Sequence, residues 1–141
     1  MTALTALTVF GGCAAARRYL HRHPADSHHP KAKYWGGWVH LTAHWNQGAA
    51  FNLPIPAQAL PLASAAALGL LWAAGRRQNT LGLGLILGGG LSNLYERVRY
   101  GRVYDYVQFP KAPGPLRRYV FNFADFAILG GCVMLLCGKE R

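Results

Sequence analysis

Acidic residues are scarce in this sequence. Its 141 residues contain five Asp and Glu against 15 Lys and Arg, and charged residues make up only 14% of the chain. Soluble domains carry roughly 25% charged residues. The shortage argues against an ordinary soluble domain, and it means that each carboxylate needs an explanation: Asp26, Glu96, Asp105, Asp125 and Glu140.

Cysteine is also scarce, and several familiar sites are missing. The three cysteines lie in apolar runs without metal-ligand spacing or an even-numbered disulfide framework, so we interpret them as small buried apolar residues: Cys13, Cys132 and Cys137. The glycine-rich stretch 82–90 lacks a following Lys-Ser or Lys-Thr, which excludes a phosphate-binding loop. No Ser/His/Asp or Cys/His spacing indicates a nucleophilic site.

A histidine-rich stretch within residues 21–37 is the remaining candidate for a metal site. Its histidines lack helical i, i+4 pairing, and Asp26 is their one acidic neighbour: His21, His23, His28 and His29. A solvated loop that faces lipid headgroups is therefore favoured over a metal site. The sequence predicts no metal and no cofactor.

Apolar residues are abundant: 52% of the residues are hydrophobic, and many of them lie in long runs. A membrane-spanning helix needs about 20 apolar residues. We predict one membrane domain over residues 1–141, of the all-α class, with four transmembrane helices at about 2–20, 57–74, 80–96 and 119–138. The first run is short, but no Lys or Arg precedes it as a cleaved signal peptide would require. The glycines of the third run predict close helix packing.

Two polar segments separate these runs, at about 21–56 and 97–118. Apolar and polar residues alternate over 38–45 and around Asp105, which indicates short strands. A tight turn at Arg76–Gln78 places both segments on the same side of the membrane, and their many basic residues predict the cytoplasmic side. The net charge of +10 fits nucleic acid or anionic lipid, and the apolar runs favour lipid, so we expect no nucleic-acid partner.

Two carboxylates are expected to meet at the membrane mouth. Asp125 lies early in the last apolar run, where an ionised acid costs roughly 2.5–3.5 kcal/mol on insertion scales and is usually functional. Asp105 lies in the segment that leads into that run. Two such acids in a poorly hydrated site share one proton, so that one can deprotonate a water and the other can polarise a carbonyl. This is the chemistry of aspartyl peptide hydrolysis.

Asparagine and arginine side chains near these acids would hold a substrate backbone: Asn46, Asn93, Arg97 and Asn122. The residues leave an alternative open. Asp105 could pair with Arg97 or Arg102 at the surface, and Asp125 could cap the last helix.

Four blocks in order resemble the bacterial lipoprotein signal peptidase family (signal peptidase II). The first two are similar to its Asn-x-Gly-Ala-Ala-Phe and Gly-Ala-x-Gly-Asn-Leu-x-Asp-Arg motifs: Asn46-Gln47-Gly48-Ala49-Ala50-Phe51 and Gly89-Gly90-Leu91-Ser92-Asn93-Leu94-Tyr95-Glu96-Arg97. The other two are similar to Gly-x-Val-x-Asp-Phe and Phe-Asn-x-Ala-Asp-Ser-x-Ile: Gly101-Arg102-Val103-Tyr104-Asp105-Tyr106 and Phe121-Asn122-Phe123-Ala124-Asp125-Phe126-Ala127-Ile128.

The resemblance implies a four-helix aspartic endopeptidase with a small extracytoplasmic β-cradle. It would remove the signal peptide of diacylglyceryl-modified prolipoproteins by cleaving before the lipidated Cys. The implied catalytic pair is Asp105 and Asp125, and the implied substrate-binding residues are Asn46, Gly48, Asn93, Arg97 and Asn122. Its implied partners are prolipoprotein substrates and membrane lipids, and we expect a monomer.

The resemblance also implies a multi-pass protein of the bacterial cytoplasmic (inner) membrane with its active site on the extracytoplasmic side. This contradicts the charge count, and we adopt the family topology, since a basic rim can hold anionic headgroups.

The family carries an Asp four residues before a Lys near the end of its first helix, whereas the corresponding stretch of this chain contains no Asp: Gly11-Gly12-Cys13-Ala14-Ala15-Ala16-Arg17-Arg18. Glu96 and Phe126 replace an Asp and a Ser of the motifs. The missing acid motivates an alternative function, a catalytically inactive membrane protein that binds lipopeptide or lipid in the same groove.

Overall fold

Four α-helices and one antiparallel sheet make up the described part of the chain, in a computed structural model that covers residues 1–23, 33–49, 53–75 and 80–138. The elements follow in the order α1 (Thr2–Arg22), β1 (Lys33–Tyr34), β2 (Val39–Asn46), α2 (Leu60–Gly75), α3 (Leu81–Tyr100), β3 (Val103–Gln108), β4 (Val120–Phe121) and α4 (Phe123–Cys137). Short 3-10 turns span Trp35–Gly37 and Gly114–Arg118. The prediction of a mostly helical protein with a small sheet is confirmed.

Helix α3 lies at the centre and packs against α1, α2 and α4. Two neighbouring glycines of α3 permit close approaches on both sides of this helix. A Cβ on Gly88 would lie 2.6 Å from the Ala6 carbonyl oxygen of α1, and a Cβ on Gly89 would lie 2.6 Å from the Ala124 carbonyl oxygen of α4. Small residues at such positions bring helix backbones into van der Waals contact. The predicted packing role of the glycine-rich stretch is therefore confirmed at these two positions.

The sheet has the order β1-β2-β3-β4, and its strands come from the α1–α2 and α3–α4 connections. These two connections meet in one sheet, so the sheet lies at the end of the bundle where α1 and α3 end and α2 and α4 begin. Trp45 pairs with Tyr104, and His44 pairs with Asp105. Because side chains alternate between the faces of a strand, the rings of Trp45 and Tyr104 are in contact on one face, while His44 and Asp105 share the other.

Helix α4 begins later than predicted. The prediction placed residues 119–122 in the last apolar helix, but Val120–Phe121 form β4, which pairs with β3 at Val107 and Gln108. Asn122 then stops the strand and caps the helix, because its side chain accepts a hydrogen bond from the Asp125 amide. The helix therefore begins at Phe123.

The bounds of α2 and α3 also differ from the prediction. Helix α2 begins at Leu60, after a turn over residues 57–59, and Pro61 lies in its first turn, where proline is tolerated. Helix α3 continues past the predicted end at residue 96 to Tyr100. Gly101 follows as the C-terminal cap, and its φ of 70° is a left-handed conformation that glycine adopts without strain.

Within the ranges that the structure describes, none of the helices combines the length and the apolar character of a membrane span. The predicted turn at Arg76–Gln78 and most of the histidine-rich stretch, including Asp26, His28 and His29, lie outside the described residues.

The glycine contacts predict that Gly89→Ala will lower the free energy of unfolding by about 1–3 kcal/mol, because the added methyl overlaps the backbone of α4. Gly130→Ala is the matched control, since a Cβ there has no atom within 4 Å. The control should leave the stability unchanged or raise it by up to about 1 kcal/mol through helix propensity. Equilibrium unfolding in detergent micelles measures both variants. Equal effects would show that the close approach of α3 to α4 is absent.

Candidate active site

One cavity of about 1160 Å³ lies between the sheet and helices α2, α3 and α4. Six of the seven residues predicted from the sequence to form the site line it: Asn46, Asn93, Arg97, Asp105, Asn122 and Asp125. The seventh, Gly48, contacts the site through its backbone, because its carbonyl oxygen accepts a 3.4 Å hydrogen bond from Arg97 Nη2. The structure therefore brings the whole predicted set together.

Asp105 reaches the cavity from the middle of β3 and is buried, with 3% of its surface exposed. Asp125 reaches it from the first turn of α4. These two elements are joined through β4, which holds the start of α4 beside β3. The N–H of Phe123 also donates a 3.0 Å hydrogen bond to the Tyr106 hydroxyl oxygen, which ties the helix start to the strand a second time. The relative position of the two acids is thus set by the β3–β4 pairing.

Two asparagine amides link the acids. Asn122 Nδ2 donates hydrogen bonds to Asp105 Oδ1 at 2.9 Å and to Asn93 Oδ1 at 3.1 Å. Asn93 Nδ2 in turn donates to Asp125 Oδ1 at 3.3 Å. A continuous chain of hydrogen bonds therefore runs from Asp105 through Asn122 and Asn93 to Asp125. Each asparagine amide donates to one of the two acids.

Asp125 also caps α4, as the alternative interpretation expected. The Asn122 N–H donates to Asp125 Oδ2 at 2.9 Å, and the Asp125 N–H donates to Asn122 Oδ1 at 3.0 Å, which together form a capping box. The cap occupies Oδ2 and leaves Oδ1 with Asn93. The two interpretations are therefore compatible, because the cap holds the carboxylate while its other oxygen faces the asparagine network.

The second half of that alternative, a surface ion pair of Asp105, is wrong. Asp105 is buried, and among the described residues neither Arg97 nor Arg102 lies within ion-pair distance of it. Arg102 instead stacks on Trp45, with its guanidinium carbon 4.3 Å from the ring centroid.

Burial and the neighbouring Asp125 charge raise the pKa of Asp105 to about 7. Burial is the larger cause, because it penalises the charged form. Hydrogen bonds from the side chains of Asn46 and Asn122 oppose the shift by stabilising the carboxylate. Asp105 therefore keeps its proton at pH values where an ordinary Asp has lost it.

Arg97 brings a cation to the cavity without neutralising either acid. Its Nη2 bonds to the Gly48 carbonyl oxygen, while its buried Nε has no hydrogen-bond partner among the described residues. The Gly48 N–H donates to Asn46 Oδ1 at 2.9 Å, so the backbone that receives Arg97 is itself fixed. A buried donor without a partner is uncommon in folded proteins, and this one lies on a residue that lines the cavity.

Other cavity residues did not emerge from the sequence as site residues. His44 lines the cavity beside Asp105, and Trp38 also lines it. His44 could have been found from strand alternation, because it lies two residues before Asn46 and so on the same face. The remaining walls are largely apolar and come from three helices: Leu60, Leu68, Leu71, Ile86, Ile128 and Leu129. Across the described ranges, no group of three or more His, Cys, Asp and Glu side chains could hold a metal ion.

Comparison with known proteins identifies relatives of this chain. The family model described as signal peptidase (SPase) II matches residues 14–139. The lipoprotein signal peptidase of Nitrobacter hamburgensis is 40% identical over 107 residues, which cover 68% of this chain and 65% of the relative. That of Desulfitobacterium hafniense is 42% identical over 107 residues, 70% of this chain and 67% of the relative. The matched region thus spans about two thirds of each relative's length.

Two solved structures share the fold. Both are described as bacterial membrane enzymes determined by the in meso method, at 2.3 Å and at 1.9 Å resolution. The first superposes with a TM-score of 0.80 over 99% of this chain and 92% of its own, and the second with a TM-score of 0.78 over 99% and 94%. Each is 18% identical in sequence to this chain.

The asparagine network predicts that Asn122→Ser will raise the pKa of Asp105 above about 7, because the carboxylate loses the Nδ2 hydrogen bond that stabilises its charge. Serine keeps an oxygen that can cap α4, so the helix should persist. Asn122→Ala removes the cap as well and should cost a further ~1 kcal/mol of stability. Carboxyl ¹³C NMR of Asp105 measures the titration. An unchanged titration in the serine variant would contradict the link.

Proposed function

Because the chain belongs to the signal peptidase II family, we propose that it is an aspartic endopeptidase that removes signal peptides from diacylglyceryl-modified prolipoproteins. Cleavage would occur before the lipidated Cys. The observation that carries the proposal is the pair Asp105 and Asp125, which line one cavity and are linked through Asn122 and Asn93.

As a member of this family, the chain is a membrane protein. We infer that it spans the bacterial inner membrane with α1–α4 and that its site faces the extracytoplasmic side. The position of the strands supports a single side, since all of them lie in the α1–α2 and α3–α4 connections at one end of the bundle. The choice of the outer side rests on the family topology, against the count of basic residues.

The two acids have different surroundings, which supports different roles. Asp105 has a pKa raised to about 7 by burial and by the Asp125 charge, which favours its protonated form. Asp125 accepts hydrogen bonds from the Asn122 N–H and from Asn93 Nδ2, and such bonds favour a charged carboxylate. Asp105 is therefore the acid of the pair and Asp125 the base.

Hydrolysis follows from this assignment. Asp125 takes a proton from a water molecule as the water oxygen attacks the scissile carbonyl carbon, while protonated Asp105 donates a hydrogen bond to the carbonyl oxygen. The resulting tetrahedral intermediate breaks its C–N bond as the proton on Asp125 passes to the departing nitrogen. The products are the carboxyl end of the signal peptide and a free amino group on the lipidated Cys.

The cavity walls suit both parts of such a substrate. Arg97 and Asn46 offer polar contacts to the peptide backbone beside the acids. The apolar walls from α2 and α4 suit the hydrophobic region of a signal peptide or the acyl chains of the modified Cys: Leu68, Leu71, Ile128 and Leu129. An aspartyl site of this kind needs no metal or other cofactor.

We expect Asp105→Asn and Asp125→Asn each to lower the rate of cleavage of a lipidated prolipoprotein peptide by about 10²- to 10⁴-fold. The first removes the acid that polarises the carbonyl, and the second removes the base that takes the water proton. The amide oxygen that Asp125→Asn introduces can still accept the Asn122 N–H, so the cap of α4 should survive. Asp26→Asn makes the same chemical change at the remaining aspartate of the sequence and should cleave at the wild-type rate.

The same assay decides between cleavage and binding alone. Wild-type protein that binds the lipidated peptide and leaves it intact would support the inactive binding protein instead. Full activity in either dyad variant would also overturn the assignment of the catalytic pair.

A further inference from the structure

A buried ion pair lies outside the asparagine network. Arg17 Nη1 of α1 lies 3.1 Å from Glu96 Oε1 of α3, and the two side chains are 15% and 5% exposed. It is the one ion pair within 4 Å among the residues that the structure describes. A buried carboxylate is costly unless it is paired and hydrogen-bonded, and Glu96 has both kinds of partner.

The second oxygen of Glu96 binds the strand that carries Asp105. Glu96 Oε2 accepts a 2.8 Å hydrogen bond from the Tyr104 N–H, and Tyr104 is the residue immediately before Asp105. Strand β4 pairs with β3 only at Val107 and Gln108, so it does not reach Tyr104. The Glu96 carboxylate therefore accepts a backbone hydrogen bond from β3 at a position where β4 offers no strand partner.

Two aromatic rings of α3 hold the guanidinium of Arg17 in place. Its guanidinium carbon lies 5.6 Å from the Tyr95 ring centroid and 5.5 Å from the Tyr100 ring centroid, which is cation–π geometry. The charge that balances Glu96 thus has a fixed position. One carboxylate in this way connects α1, α3 and the backbone of β3 beside the cavity.

We propose that Arg17 and Glu96 are positioning residues for the reaction: the ion pair orients Glu96, and Glu96 holds β3 so that Asp105 faces Asp125. The inference rests on the proposed function for its effect on catalysis. Neither side chain lines the cavity, so both act through the Tyr104 N–H and not on the substrate. The pair gives the first helix a part in supporting the site although that helix has no acidic residue.

Breaking this ion pair would lower the stability of the protein even if the pair had no part in catalysis. The test therefore needs measurements that a purely stabilising ion pair would leave unchanged. We would measure kcat and KM for a lipidated prolipoprotein peptide, together with hydrogen exchange of the Tyr104 amide in the folded protein. Displacement of a catalytic group by about 1 Å can cost on the order of 100-fold in rate. Misplacement of Asp105 should lower kcat more than it raises KM.

Arg17→Met should lower kcat by about 10- to 100-fold and speed the exchange of the Tyr104 amide, because Glu96 loses its orienting charge. Arg17→Lys should recover most of the rate. Arg18→Met is the matched control, since it makes the same substitution at the adjacent exposed arginine, and it should behave as wild type.

A second pair of variants separates charge from hydrogen bonding at Glu96. Glu96→Gln keeps an oxygen that can accept the Tyr104 N–H, whereas Glu96→Ala leaves that N–H without its partner. Both kcat and the protection of the Tyr104 amide should fall in the order wild type, Gln, Ala.

The inference is overturned if Arg17→Met matches Arg18→Met in both kcat and Tyr104 exchange, or if the folded Arg17→Met and Glu96→Ala proteins keep the wild-type kcat. A wild-type protein that does not cleave would instead defeat the proposed function. In that event the Tyr104 exchange rates of the same variants still decide whether the ion pair holds β3.

Discussion

The burial of two carboxylates beside one cavity is the constraint on which the rest of this structure depends. Each acid loses hydration, and the charge of one disfavours ionisation of the other. The chain compensates with directed donors. Asn122 donates to Asp105, Asn93 donates to Asp125, and the Asn122 N–H completes the cap of α4. The result is a pair of acids held in different hydrogen-bonding environments, which is what a shared proton requires.

Three parts of the fold position the two acids and the asparagines that bind them, and each part depends on a different interaction. Gly89 lets α3 approach α4 closely, which brings Asn93 within reach of Asp125. Strand β4 ties the start of α4 to β3. The ion pair of Arg17 with Glu96 holds the part of β3 that β4 leaves without a partner. Helix packing, strand pairing and one buried ion pair therefore converge on the geometry of two side chains.

Much of the site was predictable from the sequence, because acids are rare and their neighbours repeat recognisable motifs. The start of α4 was not, since residues 119–122 are apolar enough for a helix and become a strand only because β3 offers a partner. The role of Glu96 also escaped prediction, because it depends on contacts with Arg17 and Tyr104 that only the folded chain creates. Local patterns revealed the chemistry, and long-range contacts determined its geometry.

The proposed chemistry requires the charges of Asp105 and Asp125 to interact across one cavity. The most direct test is a carboxyl ¹³C NMR titration of Asp105 in the wild-type protein and in Asp125→Asn, which removes the neighbouring negative charge and keeps the shape of the side chain. We expect the pKa of Asp105 to fall from about 7 towards the ordinary range of aspartate in the variant, because the neighbouring charge is one of the causes of its upward shift. An identical titration of Asp105 in both proteins would contradict it.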